Sequence, residues 1–135
     1  MIRAVLDSNV YVSALLFGGL PRAVVELAHE RVFETFVSHE IIAEIESVLL
    51  LKFGWSESKI TAAALSWRDA IKVRPTSRIN ACIDPDDDRV LECAVDSEAD
   101  VIVTGDRHLL GMTRFQNIAI LNPRQFLDAA PWLPV

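Results

Sequence analysis

The chain has 135 residues, of which 51% are hydrophobic and 24% are charged, with 5 glycines and 6 prolines. This composition excludes a disordered tail, a collagen-like fibre and a low-complexity linker, and the length fits one domain over residues 1–135. The formal net charge of −6 argues only weakly against a nucleic-acid partner, because total charge does not show where the charges lie.

The sequence shows no sign of secretion or of membrane insertion. Asp7 interrupts the first apolar run, whereas a signal peptide needs about 7–15 apolar residues and a membrane helix about 20. Two cysteines, Cys82 and Cys93, are too few for a disulfide framework. We therefore expect a cytoplasmic protein with free thiols.

The first half of the chain alternates short apolar runs with longer helical patterns. These patterns predict a strand, two helices and a second strand over residues 2–6, 9–17, 22–31 and 33–37. Gly18 and Gly19 separate the two helices. Ser38 is a good N-cap for an amphipathic helix that ends near Lys52, and Ser56 is expected to cap the next helix.

The second half continues the same alternation. The segment Asp84-Pro85-Asp86-Asp87 combines a cap, a first-turn proline and acids at the positive end of the helix dipole, which predicts a helix to about Ser97. An extended piece, two strands and a closing helix are predicted over residues 73–75, 101–103, 117–121 and 123–130. Strands joined by long helices indicate an α/β three-layer sandwich, with a central parallel sheet and helices on both faces.

Acidic residues follow two of the predicted strands. Asp7 comes after the first strand, and Asp106 comes after strand 101–103. In a parallel sheet the carboxyl ends of the strands meet at one edge, where ligands bind. Asp7 also fits a helix cap and Asp106 a turn, but their combination makes both candidate site residues.

Two helices bring further carboxylates to that edge. Glu44 lies one turn into its helix and close to the apolar stripe, although a position facing solvent is the ordinary alternative. Asp84 and Asp86 are assigned to helix capping and to the dipole. Asp87 and Asp88 both border an apolar stripe, so periodicity leaves open which of the two points inward.

Carboxylates that meet at one edge repel one another, and a hard divalent cation with oxygen ligands relieves that repulsion. One or two Mg²⁺ or Mn²⁺ ions suit such a site, whereas no set of His and Cys suggests Zn²⁺. A metal there activates water and neutralises the charge of a phosphodiester during hydrolysis. Ser8, Asn9 and Thr104 are expected to hold the ligands in place through hydrogen bonds.

The chain contains, in order, the segments VLDSNV, SHEIIAEIESVL, DPDDDRVLECAV and VIVTGDRHLL. Together they resemble the PIN-domain nucleases, in particular the small prokaryotic VapC-like toxins of toxin–antitoxin pairs. The resemblance extends from Ile2 to about Leu127. It implies a compact α/β sandwich with an acidic, Mg²⁺- or Mn²⁺-dependent endoribonuclease site. The family's acidic positions fall on Asp7, Glu44, Asp88 (with Asp87 as its rival) and Asp106.

The resemblance also implies partners. Proteins of this type cut RNA, are often homodimers, and are held by an antitoxin that docks on an apolar groove near the site. Phe53, Trp55 and Trp67 are candidates for that groove, with core packing as the alternative. The candidates for contacts with substrate phosphates, with plain solvation as the alternative, are Arg22, Arg89 and Arg107.

Two other interpretations stay open at this point. A phosphatase-like domain with an aspartate nucleophile fits Asp7 after the first strand, but it requires a second aspartate where this chain has Asn9. A non-catalytic PIN-like binding module would keep the fold without the chemistry, and the intact set of acids argues against it.

Overall fold

A computed structural model describes residues 1–129 of the chain. Six strands form one sheet in the order β3-β2-β1-β4-β6-β5. Their bounds are Arg3–Leu6 (β1), Glu34–Ser38 (β2), Ile71–Val73 (β3), Val101–Val103 (β4), Arg114–Phe115 (β5) and Ile118–Leu121 (β6). The first five strands in this order pair in parallel, and β5 is antiparallel to β6.

Helices connect the strands and cover the sheet, which gives the three-layer α/β sandwich predicted from the sequence. Their bounds are Ser8–Leu16 (α1), Gly19–His29 (α2), His39–Leu51 (α3), Glu57–Ala63 (α4), Pro85–Asp96 (α5), Arg107–Met112 (α6) and Pro123–Asp128 (α7). A 3₁₀ turn at Ala64–Trp67 follows α4. The predicted end of the last helix at Ala130 lies outside the described residues.

Side-chain caps fix where the helices begin. Asp7, Ser38 and Asp84 each accept a backbone N–H from the first turn of the helix that follows. Because Asp7 directly follows β1 and Ser38 ends β2, these caps also place the helix starts at the carboxyl edge of the sheet.

Two short elements differ from the sequence prediction. The strand β5 was not predicted; it adds an antiparallel edge through a two-residue turn, and two residues are too few to show a period of two. The helix α6 was not predicted either: a turn residue was the ordinary alternative for Asp106, which instead caps α6 by accepting the N–H of Leu109 at 2.9 Å.

The core lies on both faces of β1 and β4, whose residues are nearly all buried. Trp67 is 5% exposed and packs edge-on against Tyr11, with ring centroids 5.9 Å apart. Trp67 therefore belongs to the core, which was the alternative to a place in the docking groove. Phe53 is 40% exposed, and half-buried Trp55 lies under the ammonium group of Lys59.

None of the described helices is by itself long and apolar enough to span a membrane; α1 and α2 reach that length only as a pair bent by 108°.

Candidate active site

A cavity of about 790 Å³ opens at the carboxyl ends of β1 and β4, between α1, α3 and the first turns of α5. Its cationic lining residues are Lys52 and Arg89. Its acidic lining residues are Asp7, Glu40, Glu44, Asp84, Asp86, Asp87 and Asp106. The cavity therefore concentrates negative charge in a partly desolvated space.

Asp7 is the most deeply buried of these carboxylates. It is 5% exposed, and its Oδ2 accepts hydrogen bonds from Thr104 Oγ1 at 2.8 Å and Asn9 Nδ2 at 3.1 Å. Ser8 donates its backbone N–H to Oδ1 at 2.7 Å. Burial raises the pKa of Asp7; hydrogen bonds from Thr104 and Ser8 oppose that rise, and the charge of Asp106 adds to it.

The turn after β4 is tied to the turn after β1. Thr104 is fully buried, and its Oγ1 accepts the backbone N–H of Asp106 at 3.0 Å while donating to Asp7. Asn9 Oδ1 accepts the N–H of Gly105 at 2.9 Å. Asn9 and Thr104 thus fix Asp7 and Asp106 relative to one another, as expected for residues that hold the acidic side chains in place.

Glu44 reaches the cavity from α3 and faces α5. Its pKa is raised, first by burial and then by the charge of Asp86 and a hydrogen bond with it. The charges of Asp7 and Asp84 raise the pKa further. The carboxylates of α1, α3 and α5 therefore share one electrostatic environment.

The structure places Asp87, and not Asp88, in the cavity. Asp88 is 2% exposed, and its Oδ1 accepts the backbone N–H groups of Ala81 and Cys82, each at 2.9 Å. Asp87, the residue before Asp88 in the chain, lines the cavity. The prediction that Asp88 lies with the other acids is therefore corrected. Neighbouring residues of a helix point about 100° apart, so Asp87 and Asp88 face different surroundings. Asp88 faces the loop before α5 and accepts its N–H groups.

The surroundings of Asp87 in the cavity strongly perturb its pKa. Desolvation raises its pKa to about 7, with further contributions from the charges of Asp106, Asp7 and Asp84. His108 on α6 lowers it in part. A carboxylate that retains its proton near neutral pH is what uncompensated like charges produce in a cavity.

The donor set suits a hard cation such as Mg²⁺ or Mn²⁺, since several carboxylates line one cavity and the charges of neighbouring acids help raise the pKa values of Asp7 and Asp87. Over residues 1–129, no three His, Cys, Asp or Glu side chains are close enough to enclose an ion by themselves. Mg²⁺ usually keeps several waters and takes only one or two carboxylates directly. The side chains present suit that kind of coordination.

The three arginines predicted to contact substrate have different settings. Arg89 lines the cavity, but it forms a salt bridge with buried Glu92, with Nε and Oε1 2.7 Å apart. Arg22 pairs with Glu26 on the surface, 3.1 Å away. Arg107 is exposed. Neither Arg22 nor Arg107 lines the cavity within the described part of the chain.

The sequence analysis missed four charged cavity residues, namely Glu40, Lys52, Asp84 and Asp86. Asp84 caps α5 by accepting the N–H of Asp86 at 2.9 Å, as predicted, yet both residues also line the cavity. The sequence did contain a clue: Asp84 and Asp86 lie at the start of a helix that begins beside the site. A residue there can cap the helix and line the cavity at the same time.

Comparison with known proteins identifies the family. The family model for the PIN domain matches residues 3–108. An uncharacterised protein of Methanocaldococcus jannaschii is 28% identical over 141 residues, which cover 94% of this chain and 90% of the relative.

Two solved structures share the fold. The structure of VapBC2 from Rickettsia felis bound to a DNA fragment from their promoter superposes with a TM-score of 0.67 at 13% identity, covering 90% of this chain and 98% of that one. The RRP44 PIN domain of T. brucei superposes with a TM-score of 0.51 at 13% identity, covering 95% and 80%. With the family model spanning most of the chain and the acidic cavity at the sheet edge, this protein belongs to the PIN domain family.

Proposed function

We propose that this PIN-domain protein is a metal-dependent endoribonuclease. The observation that supports the proposal is the set of carboxylates in one cavity whose pKa values are raised by burial and by one another. Folding such a set costs free energy, and a divalent cation would compensate that cost. Family membership argues against the phosphatase-like alternative, and the raised pKa values argue against a purely structural role for these acids.

Asp7, Asp87 and Asp106 are the proposed metal-holding residues, one or two of them directly and the others through water, and Glu44 is a fourth carboxylate that lines the cavity from α3. Asp88, proposed from the sequence, is replaced by Asp87 in this role. A bound Mg²⁺ or Mn²⁺ would activate water and offset the charge that develops on a phosphodiester.

The chain's own groups prepare the site for that chemistry. Thr104 and Asn9 orient Asp7, and the cap of α6 orients Asp106. Asp87 holds a proton near neutral pH when no cation is present, and cation binding would displace it. We therefore expect metal affinity to rise with pH across the neutral range.

A role as the toxin of a toxin–antitoxin pair is the biological context that we propose. The likeness to VapBC2 supports it through the fold. Apolar side chains border the acidic cavity, including Phe17 at 77% and Phe53 at 40% exposure. Such a surface fits a protein partner, either an antitoxin or a second copy in a homodimer.

The direct test is a cleavage assay on total RNA with and without Mn²⁺, followed by mapping of the cut sites. Asp7→Asn and Asp87→Asn should remove cleavage while leaving the circular dichroism spectrum unchanged. Asp128→Asn, an exposed aspartate on α7, is the matched control and should cleave as the unaltered protein does. Cleavage that persists in EDTA, or in both site variants, would reject the proposal.

A further inference from the structure

One segment outside the cavity carries an unusual arrangement of charge. Residues 72–80, here named the strap, run from β3 towards α5, and exposure alternates along them: even-numbered side chains are exposed and odd-numbered ones are half-buried. This alternation is typical of an extended chain with one face on the protein. The outward side chains are those of Lys72, Arg74, Thr76, Arg78 and Asn80.

Carboxylates of α5 hold the inner side of the strap. Asp88, Glu92 and Asp96 are spaced four residues apart, so they lie in a row along one face of the helix. Each accepts backbone N–H groups from the strap or from the two residues after it. The donors are the N–H groups of Thr76, Ser77, Ile79, Ala81 and Cys82.

These contacts fix the direction of the strap. Asp96, at the end of α5, holds Thr76 and Ser77, whereas Asp88, in its first turn, holds Ala81 and Cys82. The strap therefore runs along α5 towards the acidic cavity, and the chain enters the cavity lining at Asp84.

The three cations of the strap are free to bind a partner. Within residues 1–129, Lys72, Arg74 and Arg78 form no ion pair, side-chain hydrogen bond or ring contact. Backbone positions two apart in an extended chain are separated by about 7 Å, so these charges form a spaced row instead of a cluster. A row of this kind suits one extended polyanion.

We propose that the strap binds the backbone of single-stranded RNA and leads it into the cavity, with Lys72, Arg74 and Arg78 contacting phosphates spaced along one strand. This inference rests on the proposed function and adds the path of its substrate. It explains how a protein with a net negative charge could bind RNA, which is also negatively charged: the strap supplies cations beside a site that repels phosphates. Proteins that bind single strands use cationic tracks of this kind.

The test measures the binding of a fluorescein-labelled oligouridine by anisotropy over a range of salt concentrations. The parent is Asp87→Asn, which prevents cleavage during the titration. Arg74→Gln/Arg78→Gln should weaken binding and reduce the slope of log K against log salt by about 1.4, since each phosphate contact to a single strand contributes about 0.7. Both arginines are exposed, so the melting temperature should not change.

The matched control is Arg114→Gln/Arg124→Gln, which removes two exposed charges outside the strap, one on β5 at the opposite edge of the sheet and one on α7. It should keep the slope of the parent. Equal slopes for the strap variant and the parent, or equal losses for strap and control variants, would overturn the inference. Duplex RNA binding with the same strap dependence would overturn its single-strand part.

Failure of the proposed function gives a different result. The unaltered protein would then cut no RNA with Mn²⁺, whatever the salt slopes are. Conversely, if the unaltered protein cuts RNA and Arg74→Gln/Arg78→Gln cuts it equally well at every salt concentration, only the strap inference fails.

Discussion

Asp87 and Asp88 are neighbours in sequence, and their electrostatic settings are opposite. The pKa of Asp87 is raised from 3.8 to about 7 by desolvation and by the charges of Asp106 and Asp7. For Asp88, burial alone would raise the pKa, but the N–H groups of Ala81 and Cys82 outweigh it and lower the pKa. Replacing each by asparagine should therefore change stability in opposite directions without metal.

The magnitude for Asp87→Asn follows from linkage. A carboxyl whose pKa is higher in the folded state than in the unfolded state destabilises the fold as pH rises from about 4 to about 7, and the cost is complete above that range. A rise from 3.8 to about 7 has a ceiling of about 4 kcal/mol. Because Asp87 is partly exposed, solvent screens its charge, and the expected destabilisation of the fold falls to about 1–2 kcal/mol.

The asparagine also loses a favourable interaction with the helix dipole, worth about 0.3–1 kcal/mol. We still expect Asp87→Asn to melt at a higher temperature than the unaltered protein at pH 8 in EDTA, by up to about 6 °C. This gain in melting temperature should shrink towards pH 4.5. At that pH, Asp87 of the unaltered protein is protonated in the folded state and increasingly protonated in the unfolded state, so its charge costs less stability.

Asp88→Asn serves as the control for this experiment. Its folded-state pKa is lowered, so the stability it contributes is present above its unfolded pKa and is lost as pH falls. We expect this variant to be less stable at pH 8 by about 1–3 kcal/mol, the range for a hydrogen bond to a charged group. Differential scanning fluorimetry at several pH values measures both variants. Destabilisation by Asp87→Asn at pH 8, or a gain that does not depend on pH, would refute the reasoning.

Three further predictions concern the metal, the support of Asp7 and the core. Mn²⁺ at 100 times its Kd should stabilise the protein by about 2.7 kcal/mol, and Asp87→Asn should lose that gain in a thermal melt. Thr104→Val removes a donor to Asp7 and leaves a backbone N–H unpaired, so unfolding by urea should show a loss of about 1–3 kcal/mol, together with slower cleavage. Trp67→Ala should cost about 3–5 kcal/mol in the same assay, and a docking role without core packing would leave stability unchanged.

The sequence was sufficient to predict the parallel sheet and the edge where the acids meet. Both follow from signals that extend over many residues, namely apolar runs, caps and the order of strands and helices. The choice between Asp87 and Asp88 depended on something local. The loop before α5 offers two N–H groups to Asp88, and no periodicity within the helix contains that information.

The same three-dimensional information governs how the net charge should be interpreted. A value of −6 averages over groups that occupy very different surroundings. Asp88, Glu92 and Asp96 accept N–H groups of the chain, so their charges serve to hold the strap and its cations in place. Seven other acids line the cavity, where a cation would neutralise them. An RNA strand approaching along the strap would therefore meet positive charge first, because the acids beneath the strap accept N–H groups of the backbone and the acids at its end lie where a metal is needed.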